Sequence, residues 1–123
     1  MSLYRLTVRH HFDAAHYLRA YPGPCANLHG HRWLVEVSVK GDTLDEMGML
    51  VDFGEIKKAL KGLLKTLDHS LLNDHSHFQT LNPTAENLAK FLFDELNTAI
   101  EGVALAGVKV YETPDAWAEY GEE

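Results

Sequence analysis

Two stretches of strict alternation constrain this chain more than anything else in it. In residues 3–13, LYRLTVRHHFD, the positions Tyr4, Leu6, Val8, His10 and Phe12 share one parity. In residues 31–40, HRWLVEVSVK, Trp33, Val35, Val37 and Val39 do the same. A period of two sends successive side chains to opposite faces of an extended backbone, so each stretch predicts a strand with one buried face. The loop between them carries Pro22, Gly23 and Pro24 and is too long for a tight hairpin turn. Loops of that length inside a compact domain are often functional.

Downstream the period changes. Asp52 with Glu55 three residues on resembles a capping box, and Ile56, Leu60, Leu63, Leu64 and Leu67 follow at helical spacing. This helix is expected to end near Asp68-His69. Asn82-Pro83 reads as the N-cap and first-turn proline of a second helix, with Leu88, Phe91, Leu92, Leu96, Ala99 and Ile100 on its apolar face. A third strand is expected over roughly 105–112, stopping at Thr113-Pro114, and a short last strand over Ala116–Tyr120. The order predicts an α+β fold: a four-stranded antiparallel sheet with both helices packed on one face.

With 123 residues the chain has the size of one domain, taken as 1–123. One cysteine excludes an intramolecular disulfide and fits a reducing compartment. No apolar run of roughly 18 residues and no signal-peptide pattern appears, which leads to the expectation of a cytoplasmic protein without membrane contact. Eleven Lys+Arg against 18 Asp+Glu give a net charge of −7, which argues against a general nucleic-acid-binding surface. A small anionic substrate would need a locally basic pocket.

The chemistry concentrates in CANLHGH, residues 25–31. His29 and His31 are two apart, so in an extended segment both rings point to one face. His16 ends the first strand in the parity of Phe12 and Ala14, and antiparallel pairing would bring it to the His29/His31 edge. Three neutral imidazoles with an open fourth position suit a catalytic zinc ion better than a structural one. Each histidine taken singly also fits a hydrogen-bonded loop residue. Cys25 is open to three roles: fourth ligand, buried small hydrophobe, or reactive thiol. Asp68-His69 also fits a helix-end histidine beside a solvated carboxylate, and Glu112 an ordinary carboxylate at a strand end. His10, His11, His75 and His77 read as solvated or locally satisfied.

Six blocks taken together go further. FDAAH (12–16), CANLHGH (25–31), LVDFGEIK (50–57), LDHSLLND (67–74), NPTAENLAKFLF (82–93) and VKVYETPDAWAEY (108–120) resemble, in the same order, the 6-pyruvoyl-tetrahydropterin synthase superfamily. The likeness runs from about Tyr4 to Tyr120 and is strongest to the 6-carboxytetrahydropterin synthase branch of the queuosine pathway. It implies the tunnelling fold, in which trimers close a barrel and two trimers usually stack into a hexamer, with active sites at subunit interfaces. It implies zinc on His16, His29 and His31, a catalytic thiol at Cys25, and a catalytic Asp68–His69 pair. Glu112 would anchor the pterin, with Thr84 and Glu86 in the pterin pocket. The implied reaction converts 7,8-dihydroneopterin triphosphate to 6-carboxytetrahydropterin, releasing acetaldehyde and triphosphate.

Three other readings compete. A 6-pyruvoyltetrahydropterin synthase would share metal, thiol and anchor but eliminate triphosphate without losing carbon. Its members tend to have a longer spacing between the cysteine and HGH than the three residues found here. A non-catalytic zinc- or pterin-binding protein would not need Cys25, Asp68 and His69. An unrelated zinc hydrolase would have no use for Glu112. Arg9, Arg19, Arg32 and Lys40 are candidates for the triphosphate.

Overall fold

The computed structural model describes residues 2–122. Both alternating stretches form strands: β1 spans Tyr4–His16, ending at His16 as expected, and β2 spans His29–Gly41, longer at both ends than its alternating stretch. They pair antiparallel along their whole length, from Tyr4 opposite Gly41 to His16 opposite His29. β4 (Ala104–Thr113) pairs antiparallel with β2, and β5 (Ala116–Gly121) with β4. A fifth piece, β3 (Ser70–Leu71), adds parallel to β1 at Ala14 and Ala15, giving the order β3-β1-β2-β4-β5. The expected four-stranded antiparallel sheet thus carries a two-residue parallel extension. Two residues are too few to leave a periodic signal, and the pairing is set by the free edge of β1.

One face of the sheet holds Val8, Phe12, Trp33, Val35, Val37, Val39, Val108 and Val110, all buried. Helix α1 (Phe53–Leu64) sets Ile56, Leu60 and Leu64 against it, and α2 (Ala85–Ala99) sets Leu88, Leu92 and Leu96. Helix α1 packs on β1 and α2 on β4 and β5, so both helices lie on the same side. Full burial of such side chains stabilises by about 1.5–3 kcal/mol each relative to exposure, which makes this face the main source of stability. The opposite face carries Arg9 paired with Glu36, whose other oxygen accepts from the Tyr111 hydroxyl at 2.9 Å. Trp117 stands half exposed next to Tyr111 on that side.

Two helix boundaries differ from expectation. Asp52 caps α1, accepting from the Gly54 amide at 2.8 Å, but the helix ends at Leu64 and continues to Asp68 only as turns. The break comes at His69, whose φ of 57° lies in the left-handed region. The N-cap of α2 is Thr84, not Asn82: its hydroxyl accepts from the Asn87 amide at 3.1 Å. The amide of Asn82 is taken by the loop after β1, accepting from the Arg19 backbone N–H and donating to the Arg19 carbonyl. Pro83 therefore precedes the cap instead of opening the helix. Ala99 is exposed, and Ala85 and Phe93 take part in the buried face instead. Among the described residues no helix is long and apolar enough to cross a membrane.

Candidate metal centre and adjacent cavity

The buried face of the sheet does not stay apolar to its end. Beyond Phe12 and Trp33 the same parity continues on β1 as Ala14 and His16, and on β2 as His31 and His29. Glu112, one residue past the Leu34–Tyr111 pair, joins them from β4. One donor atom from each of His16, His29, His31 and Glu112 falls within 4.8 Å of the others. The ring centroids of His16 lie 4.5 Å from His29 and 5.3 Å from His31, and those of His29 and His31 are 4.8 Å apart. Trp33 is the floor, with its ring 4.9 Å from His16 and 5.3 Å from His31 and its indole N–H donated to the Ala14 carbonyl.

The protonation pattern suits a cation. His16 Nδ1 lies 2.8 Å from the Pro83 carbonyl, and His29 Nδ1 lies 2.7 Å from the Asn27 carbonyl. A carbonyl can only accept, so each Nδ1 carries a proton, and in the neutral ring Nε2 is then the nitrogen free to ligate. A ligating histidine is normally held this way by a second partner. Burial pushes the pKa of His16 below the ordinary value, the Pro83 hydrogen bond opposing and the nearby His29 adding to the shift. His31 is also lowered by burial, against the pull of Glu112. Both rings are therefore neutral near pH 7. The Nε2 atoms of His16 and His31 are buried without a hydrogen-bond partner. Glu112 Oε1 approaches them at 3.9 and 3.1 Å, the shorter contact lacking hydrogen-bond alignment. Unpartnered buried polar atoms are costly, and a metal ion bound by both nitrogens would resolve them at once. The residues fit a divalent metal.

Next to this cluster opens a cavity of about 540 Å³, lined by His31, Arg32, Tyr111, Glu112, Thr113 and Pro114 with His11, Gly30 and Leu34. His11, read from the sequence as solvated or locally satisfied, belongs to its wall. Another hollow, of about 480 Å³, lies between the helices and, among the described residues, holds no cluster of metal-ligating side chains.

Cys25 lies in a single 3-10 turn, Pro24–Ala26, and is a partly buried free thiol. Its carbonyl accepts from the Leu18 amide at 2.8 Å, which ties the turn back to the end of β1. The thiol is not among the clustered donor atoms. Asp68 and His69 form their own group, separate from the three histidines and joined by Asp13. Asp68 Oδ2 accepts from His69 Nδ1 at 2.8 Å, and Asp68 Oδ1 accepts from the Asp13 amide at 2.8 Å. The Asp13 amide and the His69 ring hold the Asp68 carboxyl below its ordinary pKa. Thr84 is engaged in capping α2, and Glu86 is exposed in its first turn; neither lines the cavity.

Of the four basic candidates, Arg9 is paired with Glu36, and Arg19 contacts the carbonyls of Leu81 and Asn73. Lys40 lies opposite Arg5 at the far end of β2. Arg32 borders the cavity but is bound by Asp13. The Asp13–Arg32 pair was not anticipated, although the register that sets His16 opposite His29 also sets Asp13 opposite Arg32.

Known proteins resemble this chain in sequence and in fold. A protein of Aquifex aeolicus named 6-carboxy-5,6,7,8-tetrahydropterin synthase is 39% identical over 124 residues, covering 80% of this chain and 76% of that one. One of Bacillus subtilis with the same name is 36% identical over 119 residues, covering 89% and 80%. A 6-pyruvoyl tetrahydrobiopterin synthase of Dictyostelium discoideum is 36% identical over 103 residues, covering 82% and 76%. The solved structure of Caenorhabditis elegans 6-pyruvoyl tetrahydropterin synthase superposes with a TM-score of 0.89 at 29% identity, covering 100% of this chain and 98% of that one. Residues 5–123 match the family described as 6-pyruvoyl tetrahydropterin synthase, and the chain belongs to that family.

Proposed function

We propose that the chain is a 6-carboxy-5,6,7,8-tetrahydropterin synthase, acting on 7,8-dihydroneopterin triphosphate and releasing acetaldehyde and triphosphate. The observation that carries the reading is the convergence of three imidazoles and Glu112 beside a cavity that His31 and Glu112 border and that is large enough for a pterin. The names of the relatives from Aquifex aeolicus and Bacillus subtilis support the product.

His16, His29 and His31 would hold the metal, which we assign as zinc from the three imidazole donors. When bound, it supplies a Lewis acid that stabilises negative charge developing on the substrate's side-chain oxygens. Glu112 offers two carboxylate oxygens to the parallel N–H donors of the amino-pyrimidinone edge, a charge-assisted bidentate contact. Cys25 takes a proton from the substrate side chain as a thiolate. Asp68 fixes the His69 tautomer by accepting from Nδ1, so that Nε2 can receive or deliver a proton. Thr84 and Glu86 lie outside the cavity of their own chain and would bound a pterin held by a neighbouring copy. Asp68 and His69 lie in a separate group from the histidines, which fits a site assembled between copies of the chain. We assign a homotrimer or hexamer: β1 and β5 leave strand edges that closure between subunits would cover.

The test is product analysis after incubation with 7,8-dihydroneopterin triphosphate. Acetaldehyde and 6-carboxytetrahydropterin are expected. Accumulation of 6-pyruvoyltetrahydropterin without acetaldehyde would assign the activity named for the Dictyostelium relative instead. A monomer in sedimentation at micromolar concentration would contradict the shared site.

A further inference from the structure

The Asp68–His69 pair is held to the sheet by one residue. Asp13 donates its amide to Asp68 Oδ1 at 2.8 Å and accepts the His69 amide on its carbonyl at 2.6 Å. These backbone contacts fix His69 in its left-handed conformation and start the pairing of β3 on β1. The same geometry creates a hazard. An Asp13 carboxylate oxygen, an Asp68 oxygen and a His69 ring nitrogen all lie within 4.8 Å of one another. A neutral imidazole has one N–H to donate, and two carboxylates stand within reach of it.

Arg32 occupies the second carboxylate. Its Nε donates to Asp13 Oδ1 at 3.0 Å and its Nη2 to Asp13 Oδ2 at 3.1 Å, so both oxygens are engaged by a planar fork. The pair is largely exposed, and exposed ion pairs add little to stability. Its position beside His69 gives it another use. We propose that Arg32 is a positioning residue: by engaging the Asp13 carboxylate it leaves Asp68 as the sole acceptor for His69 and keeps the imidazole in one orientation. The raised pKa of Arg32 and the lowered one of Asp13, each due first to their mutual hydrogen bond, agree with a permanently charged pair. β2 thus serves both halves of the chemistry, with His31 on the metal side and Arg32 on the other.

The kinetic part of the test rests on the proposed synthase activity; the structural part does not. Arg32→Ala is expected to lower kcat about tenfold with KM nearly unchanged, because a mis-set acid–base group slows only the chemical step. Adding Asp13→Ala removes the competing carboxylate but keeps the backbone contacts, so Asp13→Ala/Arg32→Ala should recover most of the lost kcat. A purely structural bridge predicts no such recovery. The second readout is the His69 ring, followed by crystallography and by ¹⁵N NMR: turned to Asp13 in Arg32→Ala, returned to Asp68 in the double variant. A ring that stays on Asp68 in Arg32→Ala, a double variant no faster than the single, or a change confined to KM would overturn the proposal. If the wild-type protein turns over no pterin triphosphate, the function reading fails, and the ring orientation still decides this one.

Discussion

The two ends of the buried sheet face are built on one parity and do opposite things. At one end Val35, Val37 and Val39 meet the leucines of both helices and are sealed from water. At the other, the positions that should hold valines hold His16, His29, His31 and Glu112, with Trp33 as the boundary. There the cover is thinner: the Pro83 carbonyl caps His16, while His31 and Glu112 keep 20% and 29% of their side chains exposed toward the cavity. The alternation fixes where side chains point; whether the face is core or site depends on what covers it.

This contrast can be broken from either side. Replacing Cys25 with Ala should lower kcat by about 10²–10⁴-fold, the usual worth of a positioned acid–base group, while stability stays unchanged. A drop in melting temperature equal to that of a core variant would show that the thiol belongs to the apolar end. At the boundary, Trp33→Ala should destabilise by about 3–5 kcal/mol in denaturant titrations and loosen the metal too, because the indole supports two histidines. Loss of stability with full metal retention would show that the metal site stands independently of the apolar end. Glu112→Gln should weaken pterin binding by about 2 kcal/mol, roughly thirtyfold, by calorimetry, with the fold intact. Unchanged affinity would make Glu112 an ordinary carboxylate.

The smallest effect is on pH dependence. His16 and His31 have folded pKa values below the ordinary 6.5. Below that value the unfolded chain binds protons that the folded chain does not, so stability falls with falling pH. The metal-free protein should therefore melt at constant temperature above about pH 7 and progressively lower as pH drops through 6.5 toward the folded values. A melting temperature flat from pH 7 to 5 would mean that the histidines are not held neutral.

Most of the fold was legible in the sequence because a period of two and a period of 3.6 are properties of single elements. The histidine trio was legible because its parity continues that of the strands. What failed depended on contacts between distant segments. Asn82 and Thr84 are both good caps by type, and Arg19, from another loop, occupies the Asn82 amide and so decides between them. The turns that follow α1 stop at His69, whose amide goes to the carbonyl of Asp13 on another element. Asp13 and Arg32 became visible as a pair only through the register, which one correct pairing, His16 with His29, would have given in full.

The central claim is that the polar end of the face is a metal site and that Cys25 stands outside it. Metal content per chain, measured by elemental analysis on the wild type, His31→Ala and Cys25→Ala after dialysis, tests this most directly. We predict one zinc per chain in the wild type, none in His31→Ala, and one in Cys25→Ala. Full zinc in His31→Ala, or its loss in Cys25→Ala, would contradict the assignment.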